Sequence, residues 1–184
     1  MDSVNARVND YYEKIRANSG SLDFERRRAA NYDNQGDTLL AQGKLDAARK
    51  AYEQSLVIAE RLAKADPSNS GWQRDLSLSY SKLGDVETAA GKLDAARKAY
   101  EQSLAIRERL AQADPSNSGW QRDLSVSHMR IGNVLTQRNQ REKALVFFEN
   151  GRAISERLTK LDPSNAVWKN DLEWVNGKIA ELKK

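Results

Sequence analysis

Apolar residues recur along this chain in steps of three and four: Trp72, Leu76, Tyr80, Leu83, Val86 and Ala90 fall on one face of a predicted helix. Gly91 interrupts that pattern, and a second helix follows with two adjoining stripes. Leu93, Ala96, Tyr100 and Leu104 form one; Ala99, Ser103, Ile106, Leu110 and Ala113 form the other. Two stripes on one helix predict contact with two neighbours. Asn69 is the expected N-cap of the first helix, and Asp114-Pro115 ends the second, because proline disfavours helical geometry in the residue before it. The unit is therefore an antiparallel helix pair, each helix about 20 residues or 30 Å long.

This unit is repeated. Residues 43–77 and 91–125 differ only at Val57/Ala105, Ala59/Arg107 and Lys64/Gln112, and a third, looser copy keeps Asp162-Pro163-Ser164-Asn165 and Trp168 in register. Phe24 stands one period before Trp72. The predicted organisation is an N-terminal capping helix over 1–21, carried by Val4, Val8, Tyr11 or Tyr12 and Ile15, then repeats at 22–67, 68–115 and 116–163. A closing helix over 164–184 carries Trp168, Leu172, Val175, Ile179 and Leu182. A period of this kind signals stacked hairpins in one solenoid domain, about eight helices in all.

Gly36, Gly84 and Gly132 sit inside the first helix of each pair, where glycine costs about 1 kcal/mol relative to alanine. Close approach to the slot of Ala48, Ala96 and Ala144 is the expected compensation.

These residues carry a resemblance. Tyr80, Leu83, Gly84, Gly91, Ala96, Tyr100 and Pro115 follow the order of the tetratricopeptide motif; Tyr32, Gly36, Leu39, Gly43, Ala48, Tyr52 and Pro67 do so in the first copy. The third matches at Ile131, Gly132, Leu135, Ala144, Phe148 and Pro163, with Asn139 in place of the turn glycine and Gly151 inside the second helix. The usual unit of about 34 residues is lengthened here by some two turns per helix. Such long-helix arrays are similar to those in bacterial multidomain signalling proteins and, more loosely, to the cargo-binding repeats of kinesin light chains. The resemblance implies an all-α, right-handed superhelical solenoid and a protein-protein interaction scaffold.

It also implies which residues face a peptide-binding groove: Asp33, Asp37 and Leu40; Ser81, Asp85 and Thr88; Met129, Asn133 and Thr136. That row is acidic to neutral, which disfavours binding of the carboxylate tails of heat-shock chaperones. Arg26, Arg74 and Arg122 recur seven residues before each trio. Either they form a basic rim for acidic segments, or they pair with neighbouring carboxylates such as Asp75 or Asp123. Trp72, Trp120 and Trp168 read as packing anchors, whereas Trp174 lies off its helix's stripe and is a candidate end-contact, leaving homo-oligomerisation through the terminal helices open.

Composition narrows the alternatives. The 30 basic residues are interleaved with 26 acidic ones, so the net charge of +4 is explained by helix-surface pairing before nucleic acid is invoked. The Arg26-Arg27-Arg28 run fans out by about 100° per residue on a helix. With no cysteine and a single histidine, no cysteine-based zinc site or histidine pair can be assembled from the repeats, and His128, in the slot of Tyr32 and Tyr80, reads as a packed core histidine ahead of a catalytic one. No cofactor, metal or enzyme activity is expected. No segment has the apolar length of a signal core or membrane span, so a soluble, cytoplasmic protein with a protein or peptide partner is expected. A self-associating repeat fragment, or an engineered consensus-like array with no ligand of its own, is the alternative.

Overall fold

The computed structural model describes residues 6–8 and 22–184, and among the described residues there are helices and no strands. Residues 6–8 are helical; the rest of the capping helix expected over 1–21 lies outside the described residues. The remaining helices are α1 (Leu22–Ala41), α2 (Leu45–Ala65), α3 (Ser70–Ala89), α4 (Leu93–Ala113), α5 (Ser118–Gln137), α6 (Arg141–Leu161) and α7 (Ala166–Lys183).

The repeated sequence supplies the same stop and start each time. Asp66 Oδ1 accepts from Ser68 N at 3.0 Å and Ser68 Oγ at 2.5 Å, closing the turn after α2. Asn69 Oδ1 then accepts from Trp72 N at 3.1 Å, capping α3. Asn117 and Asn165 cap α5 and α7 in the same way, at 3.0 Å and 3.1 Å. The other turns need a left-handed residue. Gly43 and Gly91 supply it at φ 71°, and Asn139, one of the few other residues that tolerates this region, at φ 57°.

The described chain divides into two compact units, one ending at Lys92 and the other beginning at Leu93, so the division falls between α3 and α4. In the first unit α1 packs on α2 and α2 on α3, around Leu39, Ala48, Tyr52 and Val86 and, nearer the other end, Ala29, Ile58 and Leu62 beneath Trp72. In the second, α4 to α7 pack in sequence around Tyr100, Ile131, Val134, Leu135, Phe148, Val175 and Ile179.

Two details differ from the sequence expectation. The space above the helical glycines belongs to an aromatic ring rather than to the alanine slot: a Cβ on Gly36 would stand 2.8 Å from Tyr52 Cζ, and one on Gly132 would stand 2.7 Å from Phe148 Cε1. The deepest positions of α3 also include serines, Ser77, Ser79 and Ser81, rather than its apolar stripe alone. Two of the hydroxyls turn back onto their own helix, Ser77 Oγ to Arg74 O at 2.7 Å and Ser79 Oγ to Asp75 O at 3.3 Å, so a small polar residue is buried without loss of hydrogen bonding.

Candidate interaction site

The candidate groove residues lie on α1 and α3 in the first unit and on α5 in the second. On α1, Asp37 is exposed, Asp33 is half-buried, and Leu40 packs against the Leu39 and Tyr52 cluster. On α3, Ser81 is buried, while Asp85 and Thr88 are partly exposed. On α5, Met129 is buried, and its Cγ lies 3.3 Å from where a Cβ on Gly151 would stand; Asn133 and Thr136 are partly exposed. Thr88 and Thr136 bond back to the carbonyls of Gly84 and Gly132, at 2.8 Å and 2.9 Å.

The acidic character of the first unit is modified by a residue outside the row. Lys82 Nζ donates to both carboxylate oxygens of Asp37 at 2.6 Å, and Tyr52 Oη donates to Oδ1 at 2.7 Å. Lys82 follows Ser81 by one position and so falls outside the spacing of four and three that selects the row. Asp33 is different. Its Oδ1 is buried with no hydrogen-bond partner within the protein. Burial pushes its carboxyl up to about 6, against the opposing pulls of the Ser55 hydroxyl and Lys82.

Asp33 lies in a cleft of about 350 Å³ within the first unit, lined among others by Ala59, Trp72, Asp75 and Ser79. Arg26 stands on its lining, with Nε on Asp75 Oδ2 at 2.6 Å and Nη2 on Oδ1 at 3.4 Å. In the second unit Arg122 meets Asp171 with the same fork, at 2.7 Å and 3.3 Å. Arg74, on α3, is also engaged. The Arg26-Arg27-Arg28 run does fan out: Arg27 pairs with Asp23 at 2.7 Å, and Arg28 reaches Tyr32 Oη at 3.3 Å.

Trp174 keeps 40% of its surface exposed and meets Phe148 edge-on, with ring centroids 6.0 Å apart. His128 is buried beside the Phe147 ring at 5.8 Å, and burial lowers its pKa, as for a packed imidazole. Among the described residues no group of three metal-ligating side chains occurs, and no helix is long and apolar enough to cross a membrane.

Residues 29–68 and 77–116 each match the family model described as tetratricopeptide repeat. These two segments are tetratricopeptide repeats. Repeats of this family are in general non-enzymatic scaffolds for protein interaction. The crystal structure of BtubC (BKLC) from P. vanneervenii is similar in fold at a TM-score of 0.70 and 17% identity. The match covers 98% of this chain and 63% of that one, so the present chain spans under two thirds of its length. The first TPR of Spaghetti (RPAP3), bound to HSP90 peptide SRMEEVD, gives a TM-score of 0.43 at 19% identity, covering 84% of this chain and 94% of that one. Among curated proteins, no sequence matches the chain.

Proposed function

We propose that this chain is an interaction scaffold that takes a peptide or protein segment on the faces of its repeat-initiating helices. The contacts assigned are Asp33, Asp37, Leu40, Asp85 and Thr88 in the first unit and, in the second, Asn133 and Thr136; Ser81 and Met129, expected in the same row, are buried and lie out of a partner's reach. The observation that carries this reading is the match of two segments to an interaction-repeat family. The mixed charge on α1 and α3 adds to it: Asp37 is matched by Lys82, whereas Asp33 keeps a buried, unpartnered oxygen. Such a face favours a segment with polar and basic positions over one bearing a free carboxylate.

A photo-crosslinking side chain at Thr88 should capture the partner, whereas one at Val57, 62% exposed on α2, should not. With the purified partner, the Asp37→Lys/Asp85→Lys protein should then bind at least several-fold more weakly. Unchanged affinity would remove the assignment of these helices.

A second reading follows from the exposed apolar side chains of the last two helices, Leu161, Val167 and Trp174. Self-association through them would make the chain's mass rise with concentration in light scattering and revert in Trp174→Lys. A strict monomer at all concentrations excludes it.

A further inference from the structure

Of the three positions at which the near-identical copies differ, one changes what fills the space beside its helix: Ala59 in the first, Arg107 in the second. Arg107, on α4, is 4% exposed, and its Nη1 donates to the Asp123 carbonyl oxygen at 2.9 Å and to Ser127 Oγ at 3.0 Å, both on α5. One period earlier these three positions are Ala59, Asp75 and Ser79, and all three line the cleft of the first unit. The acceptors are retained in the same arrangement. Ser79 Oγ lies 3.3 Å from the Asp75 carbonyl oxygen, as Ser127 Oγ lies 3.2 Å from that of Asp123. Alanine ends at Cβ, so the guanidinium position is left open, in a cleft whose volume of about 350 Å³ falls within the ~300–1,000 Å³ of ligand pockets.

The first unit also adds a charge. Asp33 stands where the second copy has Ser81, with Oδ1 unpartnered. The other charges on the lining are matched, Arg26 by Asp75 and Arg27 by Asp23, which leaves Asp33 as the surplus carboxylate. The third copy carries neither feature: Met129 replaces the carboxylate and Val175 the serine acceptor.

We propose that the cleft between α1, α2 and α3 is a socket for one arginine side chain of a partner protein, seated as Arg107 is seated one period later. A guanidinium is planar and carries five donors, so it can serve the Asp75 carbonyl, the Ser79 hydroxyl and the Asp33 carboxylate together; an ammonium lacks that fork. The socket deepens the scaffold reading and rests on it for the source of the arginine, though not for the binding itself.

The test uses N-acetyl-arginine N-methylamide, with the neutral citrulline analogue as control, titrated into the ¹⁵N-labelled chain. The arginine probe should produce saturable shifts centred on Asp33, Ala59 and Ser79, and the citrulline probe should bind about tenfold more weakly, as expected for loss of a charge-assisted hydrogen bond. Ala59→Arg should fill the socket and abolish the response; the burial of Arg107 shows that this position of the repeat accommodates the side chain. Asp33→Asn, which keeps the shape, should weaken the arginine probe by about the same tenfold. Absence of saturable shifts, equal response to both probes, or undiminished binding by Ala59→Arg overturns the proposal. Because the probe needs no partner, the two readings fail separately. A silent probe with partner affinity unchanged in Ala59→Arg retires the socket alone, whereas a responsive probe with no sensitivity to Asp37→Lys/Asp85→Lys retires the helix-face assignment alone.

Discussion

Lys82 holds both carboxylate oxygens of Asp37 at 2.6 Å and thereby ties α3 to α1 within the first unit. The lysine side chain is 18% exposed and the aspartate 52%, so water screens the pair from one side. Lys82→Met is therefore expected to cost at most about 1 kcal/mol in urea unfolding at low salt, and less at high salt. A larger loss that salt leaves unchanged would show that packing of the lysine stem, not charge, is what matters.

Gly36 and Gly177 are both helical, yet alanine should act on them in opposite directions. A Cβ at Gly36 meets the Tyr52 ring, and this overpacking is expected to exceed the gain in helix propensity, for a net loss of about 2 kcal/mol. At Gly177 nothing lies within 4 Å, so Gly177→Ala should raise stability by about 0.5–1 kcal/mol. Combining Gly36→Ala with Tyr52→Leu in a double-mutant cycle should shrink the first penalty; strict additivity would rule out the ring as its cause.

The three asparagine caps make one repeated prediction. Asn69→Ala and Asn117→Ala should each cost about 1 kcal/mol by removing the acceptor for Trp72 N and Trp120 N, and Asn→Gly should cost only a few tenths. Equal losses for alanine and glycine in chemical unfolding would contradict a capping role.

Asp33 predicts a pH dependence of stability. Its folded-state pKa of about 6 lies above the ~3.9 of an unfolded chain, so the native state holds the proton more tightly. Its favourable contribution is complete below about pH 4 and is lost as the pH rises to about 6. Asp33→Asn should therefore stabilise the chain by about 3 kcal/mol at pH 7.5 and by only about 0.5 kcal/mol at pH 4. A gain that is the same at both values would assign the effect to something other than ionisation.

Helix limits were legible in the sequence because their signals are local: an asparagine after Asp-Pro-Ser starts a helix, and Gly43, Gly91 and Asn139 turn the chain. The partner of the helical glycine was harder to read, since periodicity names a face and not the residue opposite. The constant spacing of 16 residues, from Gly36 to Tyr52 and from Gly132 to Phe148, carried that information. In the candidate row, spacing alone could not separate Asp37, which faces solvent, from Met129, which the missing Cβ of Gly151 lets sink inward. Lys82 was missed because a long side chain acts away from its own backbone position. The cleft was missed because a void follows from what Ala59 lacks, and only the divergence between copies at that position marked it.

Arg26 pairs with Asp75 and Arg122 with Asp171, and each pair spans 49 residues, one more than the repeat period. Trp-Gln-Arg-Asp-Leu carries the arginine and the aspartate side by side; Arg26 holds the arginine slot one period before Arg74, Asp171 holds the aspartate slot one period after Asp123, and in both pairs the arginine bonds the aspartate one repeat on. A gene duplication that inserts a whole period hands the lineage both halves of a matched joint, whereas an insertion of any other length leaves two charges facing nothing. This gives the repeat a length standard written in electrostatics, and it offers a physical reason for arrays of this kind to grow by whole units.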